Sequence, residues 1–163
     1  MNLIHLNYKI DKAKYTKIFY DIHQRGEWYQ WKQFDAKLSW WKVYLENDSD
    51  IRHLTKEVEQ DLGIWGMETY PRFAYLFSNN NVPPHVDEDD MTCIQINLFD
   101  INPIIVVEDK EIPYECLLLE NGKLQHWVDP VPYDRLMLKF CMRYPWEEVL
   151  SKIPKHLIES YEV

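Results

Sequence analysis

Residues 83–99 read PPHVDEDDMTCIQINLF, and the two halves of this stretch carry different messages. In an extended chain, residues two apart point to the same side. If residues 84–87 are extended, His85 and Asp87 therefore reach one point in space, which is half of a metal site. The run Thr92–Phe99 then alternates as a strand does. Ile94, Ile96 and Leu98 fall on one face, and Cys93, Gln95, Asn97 and Phe99 on the other. Two amides on one strand face are costly in a dry core without partners. That face is expected either to meet solvent or to line a water-filled cavity.

Working outward, strand-like runs continue on both sides. Tyr70–Phe77, Val82–Asp87, Ile104–Glu108, Pro113–Leu119, Gln125–Val128 and Tyr133–Met142 are separated by the Ser-Asn cluster at 78–81 and by Asn-Pro, Asn-Gly and Asp-Pro elements. Many short strands with such turns predict a β-sandwich or jelly-roll barrel. Before it lie helical signals. Asp11 can cap a helix from Lys12 to near Gly26, with Tyr15, Ile18, Phe19 and Ile22 on one stripe. Ser49 can cap a second, with Ile51, Leu54, Val58 and Leu62 inward, Glu59 outward and Gly63 as its stop. Residues 2–8 read as an edge or cap strand. The aromatic segment 27–45 mixes periods: Trp28, Trp31 and Phe34 fit a helical stripe, Trp40 to Leu45 an extended one. It is expected to pack on the outside of a sheet or to border a cleft. Pro145 opens a helix at its first turn, and a last helical piece is expected after Pro154. The expectation is one domain, 1–163, mainly β with flanking helices. Helical support lies at 11–63, the β core at about 67–143 and C-terminal helices at 145–161.

Composition narrows the function. The 163 residues carry 18 basic and 27 acidic side chains, a formal charge of −9. Such a surface repels phosphate backbones, so neither nucleic acid nor an anionic membrane is expected as a partner. Cys93, Cys116 and Cys141 sit in apolar runs without the close spacing of a thiolate metal site, which suits buried free thiols in a reducing compartment. With no apolar stretch near 18 residues and a polar N-terminal segment, the expected location is cytoplasmic.

The candidate chemistry comes from three segments. His126 lies near a short strand. Arg135 leads a longer one on which Arg135, Met137, Lys139 and Cys141 share a face. His85, Asp87 and His126 together would make a 2-His-1-carboxylate set, which leaves open positions on an octahedral metal and characterises non-haem Fe(II) sites. Zinc could take the same ligands without redox chemistry. The planar guanidinium of Arg135 suits a carboxylate held bidentately. An ion pair of Arg135 with Asp134 or Glu115 is the structural alternative.

In this order and spacing, PPHVD, CIQINLF and QHWVDPVPYDRLMLKF resemble the Fe(II)/2-oxoglutarate-dependent dioxygenase superfamily over roughly residues 70–142, particularly its small aspartyl/asparaginyl- and prolyl-hydroxylase-like members. The resemblance implies a double-stranded β-helix of the cupin-like kind. It implies Fe(II) held by His85, Asp87 and His126 as the catalytic centre, and 2-oxoglutarate held through Arg135, with Asn97 and Gln95 as polar cavity residues. The implied reaction is hydroxylation of a peptide, amino acid or small metabolite coupled to decarboxylation of 2-oxoglutarate to succinate. The acidic turn Glu88-Asp89-Asp90 departs from that pattern, as does the shortness of the chain. Two other readings fit the residues: a silent jelly-roll binding module using the aromatic 27–45 segment, and a cupin-like isomerase with His85 and His126 as acid and base.

Overall fold

The computed structural model describes residues 1–25, 29–31, 40–44 and 53–161. Two antiparallel sheets face each other. The larger contains β1 (Leu3–Leu6), β2 (Tyr29–Trp31), β3 (Trp40–Tyr44), β4 (Thr69–Leu76), β6 (Thr92–Asn97), β9 (Cys116–Leu119), β11 (Arg135–Met142) and β12 (Ile158–Tyr161). Its spatial order is β12-β1-β9-β6-β11-β4-β3-β2. The smaller contains β5 (Val82–His85), β7 (Ile104–Val107), β8 (Lys110–Pro113) and β10 (His126–Val128), in the order β5-β10-β7-β8. From β4 to β11 the chain changes sheet at every connection but the β7–β8 hairpin. This is the jelly-roll, double-stranded β-helix path that the turn-punctuated strands predict.

The outer face of the large sheet is dry. Ile94, Ile96, Leu136, Leu138, Phe140 and Met142 pack there against Tyr15, Phe19 and Ile22 of α1 (Lys12–Gln24), Val58 of α2 (Lys56–Asp61), and Trp146 and Val149 of α3 (Trp146–Lys152). α1 starts where its cap predicts: the Asp11 carboxylate accepts a hydrogen bond from the Lys14 N–H at 3.1 Å. Gly63 follows α2 with φ 75°, where a Cβ would meet the Lys152 carbonyl oxygen at 2.1 Å. Only glycine lets the end of α2 abut the end of α3.

Between the sheets lie two smaller clusters. Leu3, Cys93, Ile105, Val107, Leu117 and Cys141 pack at one place. Ala74, Leu76, Val82, Val128 and Met137 pack at another.

Several sequence expectations are corrected. β1 is not an edge, because β12 and β9 flank it. The chain after Pro154 makes one 3-10 turn, Lys155–Leu157, and then the strand β12 rather than a helix, so its backbone donors and acceptors pair with β1. The run 113–119 is broken. Residues 110–113 belong to β8, paired with β7 through a turn at Glu108 and Asp109, both at positive φ, and β9 begins at Cys116. The aromatic segment supplies β2 and β3, which extend the sheet beyond β4 instead of packing on its outside; Trp28 and Phe34 lie outside the described residues, as do Ser49 and Ile51. Leu54 is 39 % exposed, whereas Glu59, expected outward, is 3 % exposed and accepts hydrogen bonds from Thr69 and Thr55.

Candidate metal centre

The small sheet builds the centre. β10 pairs antiparallel with β5 so that His126 stands opposite His85, and the two imidazole centroids are 4.3 Å apart. The chain leaves β5 after His85, and two residues on, Asp87 returns its carboxylate to the same point. Its oxygens lie 3.4 Å from each imidazole Nε2, Oδ1 toward His85 and Oδ2 toward His126. One ligand atom from each of the three residues falls within 4.8 Å of the others.

The rings are oriented from behind. Nδ1 of His85 is 2.8 Å from the Pro83 carbonyl oxygen, and Nδ1 of His126 is 2.8 Å from the Leu124 carbonyl oxygen. A carbonyl oxygen only accepts, so each Nδ1 carries the proton and donates it. In a neutral ring Nε2 is then the basic nitrogen, turned toward Asp87. A backbone acceptor behind each imidazole is the arrangement that fixes tautomer and orientation in metal-ligating histidines. Two Nε2 atoms and a carboxylate are all electron-pair donors, and a cation among them is what such a convergence suits.

Asp87 is itself clamped. Its N–H donates to the Asn121 carbonyl oxygen at 3.0 Å, and the Asn121 side-chain N–H donates to Oδ2 at 2.7 Å. Lys139 Nζ lies 3.7 Å from the same oxygen. Burial alone would raise the Asp87 carboxyl's pKa, but the Lys139 ammonium, together with protons carried on the imidazole Nε2 atoms when no metal is bound, outweighs it and holds the group far below the usual carboxylate range. Gly122 makes the clamp possible, because a Cβ there would meet the Asp90 carbonyl oxygen at 2.5 Å. Neither Asn121 nor Lys139 stands out as a site residue in sequence. The Asn-Gly pair signals a turn, and nothing local says which loop it touches.

The acidic turn divides by direction. Asp90 points inward and pairs with Arg72 at 3.8 Å, while Glu88 and Asp89 are exposed. Asp90 is thus a structural counterion, and the turn leaves the three candidate ligands undisturbed.

Arg135 is 4 % exposed. Its suggested partners are engaged elsewhere: Asp134 accepts from Tyr75 and from the Ser78 N–H, and Glu115 pairs with Lys12 at 2.7 Å. Among the described residues Nη2 of Arg135 has no partner. A buried guanidinium nitrogen without an acceptor is expensive and marks a place for an anion. The polar face of β6 is buried, not solvent-exposed: Cys93, Gln95 and Asn97 are 0, 3 and 2 % exposed. Asn97 differs from the expectation of a cavity residue. Its amide donates to the Phe99 carbonyl oxygen at 2.7 Å and to Glu115 at 3.2 Å, and its Oδ1 accepts from the Phe99 N–H, so it holds the chain turn after β6. Gln95 stands across the ladder from Lys139, with Oε1 unpartnered.

The strand path can be compared with solved structures. A Trichoplax adhaerens prolyl hydroxylase in complex with a hypoxia-inducible-factor peptide fragment superposes with a TM-score of 0.62 at 14 % identity, over 91 % of this chain and 84 % of that one. The chain has the fold of the 2-oxoglutarate-dependent oxygenases. Within that fold, the α-ketoglutarate-dependent carbocyclase SnoK of nogalamycin biosynthesis superposes at 0.65 and 10 % identity, over 99 % of this chain and 90 % of that one. A Pseudomonas putida prolyl-4-hydroxylase superposes at 0.54 and 15 % identity, covering 81 % and 84 %. No protein-family model and no curated protein matches the sequence. Among the described residues no helix is long and apolar enough to cross a membrane.

Proposed function

We propose that this oxygenase-fold chain is an Fe(II)- and 2-oxoglutarate-dependent enzyme that hydroxylates a small metabolite, amino acid or peptide side chain. The observation that carries the reading is the convergence of His85, Asp87 and His126 on one point, with each Nδ1 committed to a backbone carbonyl. Two imidazole nitrogens and one carboxylate oxygen fit Fe(II) and leave positions for other ligands. The unpaired guanidinium nitrogen of Arg135 fits a carboxylate of the cosubstrate.

Iron with 2-oxoglutarate and O₂ supplies the oxidising chemistry, and the chain supplies position and charge. His85 and His126 present Nε2, Asn121 fixes Asp87, and Arg135 fixes the far end of the cosubstrate. A cavity of about 280 Å³ adjoins Asp87, lined in part by Val86, Met91, Glu120, Gly122 and Trp146.

Anaerobic titration with Fe(II) and then 2-oxoglutarate tests it. The expected result is the weak visible charge-transfer band of the chelate, abolished in Asp87→Ala. In Arg135→Ala metal uptake is expected to persist while 2-oxoglutarate binds about tenfold or more weakly, the usual worth of a charge-assisted hydrogen bond. Absence of both metal uptake and band in the wild type would overturn the reading, and unchanged cosubstrate affinity in Arg135→Ala would overturn the role of Arg135.

A further inference from the structure

Among the described residues the barrel interior carries three cationic side chains, Arg72, Arg135 and Lys139. Arg135, Met137, Lys139 and Cys141 alternate along the inward face of β11, and Arg72 of β4 stands opposite Lys139 in register. The Arg72 and Lys139 side chains are 12 and 13 % exposed. Asp90 serves Arg72. Among the described residues, Asp87 is the one carboxylate within ion-pair distance of Lys139. Asp87 is also a member of the metal-ligand set.

That double duty has an electrostatic consequence. A divalent ion bound by Asp87 draws on the same negative charge that compensates Lys139. Lys139 would then face a metal ion on one side and Arg72 on the other, in a mostly buried site. An ammonium left so is strongly unfavourable. An anion beside the metal removes the conflict. Among the described residues, Lys139 and Arg72 lie within ion-pair distance of Asp87 and Asp90 respectively. A divalent metal adds two positive charges, and a dicarboxylate supplies the two negative ones that offset it. Lys139 and Arg135 are separated along β11 by about 13 Å between Cα atoms at the usual strand rise, and both side chains are long enough to converge on one small dianion.

We propose that Lys139 is a second cosubstrate-binding residue: it guards Asp87 in the metal-free protein and, once metal binds, takes the carboxylate at the metal end of the 2-oxo acid while Arg135 holds the other. This rests on the oxygenase reading above. Metal and cosubstrate then bind cooperatively, because each removes a penalty that the other creates.

The test uses Mn(II) as the metal, followed by the loss of its free-ion paramagnetic resonance signal, and calorimetry for the 2-oxo acid at saturating Mn(II). Lys139→Met is expected to bind Mn(II) more tightly than the wild type and 2-oxoglutarate about tenfold or more weakly. Those opposite signs separate a binding role from a structural one, which would weaken both. Lys139→Gln should show the same pair of changes and provides a second route should the methionine variant not fold. A third arm uses 2-oxobutyrate, which lacks the far carboxylate: Arg135→Ala should bind it as the wild type does, while the Lys139 variants should not. Unchanged 2-oxoglutarate affinity in both Lys139 variants, or loss of Mn(II) and 2-oxoglutarate affinity together, would overturn the assignment of Lys139. Failure of the wild type to take Mn(II) or 2-oxoglutarate would instead overturn the oxygenase reading.

Discussion

The two faces of β11 are built from one continuous run of residues and do opposite work. Leu136, Leu138, Phe140 and Met142 look outward to the helices and are 0 to 1 % exposed. Arg135, Met137, Lys139 and Cys141 look inward, and two of these four are cations in a mostly closed space. The outward face follows the ordinary logic of apolar burial, each side chain adding contacts and removing area from water. The inward face follows that logic at Met137 and Cys141 but not at Arg135 and Lys139. Among the described residues, Lys139 rests on one carboxylate, that of the candidate metal ligand Asp87, and Arg135 keeps a nitrogen unsatisfied. The fold thus secures on one side of a strand the stability that it forgoes on the other, as expected where polar groups are arranged for a ligand rather than for each other.

The largest expected effect lies on the outward face. Phe140→Ala should destabilise the protein by about 3–5 kcal/mol, the range for removing a fully buried aromatic ring, read from the midpoint of urea unfolding. The folded fraction should still take up metal. A loss below about 1 kcal/mol would mean that the helix-backed face is not the main source of stability.

At the centre, Asn121→Ala should lower Mn(II) affinity by about 10- to 100-fold, as loss of a residue orienting a metal ligand usually does, with a smaller change in the unfolding midpoint than Phe140→Ala. Equal metal affinity would remove the clamp on Asp87 from the description of the site.

The smallest effect is expected at the inner end of β11. Burial pushes the Cys141 thiol up to about 11, with Lys139 opposing the shift. A thiol raised in the folded state contributes stability that is intact below its unfolded pKa of about 8.5 and is lost as pH rises toward the folded value. The thiols should therefore be unreactive toward a disulfide reagent at pH 8 in the native protein and react on unfolding, and the Cys141 thiol should cost the fold about 1 kcal/mol of stability between pH 8.5 and 9.5, read as a small decline in the unfolding midpoint. Rapid native-state labelling of Cys141 would show that the barrel interior opens more readily than its packing implies.

Much of this was legible in the chain. The period of two in Thr92–Asn97 and Arg135–Met142, and the Pro, Asn and Asp punctuation between runs, specify strands and turns because side-chain direction and backbone restriction are local properties. The His85–Asp87 spacing is legible too, although β5 ends at His85 and Asp87 returns to the site from the loop rather than along the strand. Gly63 marked a helix end, and Asp11 a start. Less legible were the elements whose state depends on a distant partner. Residues 158–161 become a strand because β1 offers a pairing edge, and Glu59 turns inward because Thr69 is there to donate to it. Asn97 carried the composition of a cavity residue and is spent on a turn.

Residue type and short spacing therefore specify the strand pattern, the dry stripe of β11 and the pairing of His85 with Asp87 as candidate metal ligands. Only the packing of distant segments set His126 opposite His85, clamped Asp87 with Asn121, paired Asp90 with Arg72 and brought Lys139 to a carboxylate of the candidate metal-ligand set. Those are contacts between segments far apart in the chain. They are fixed by sheet register and by the crossing of strands between two layers, which no local pattern encodes.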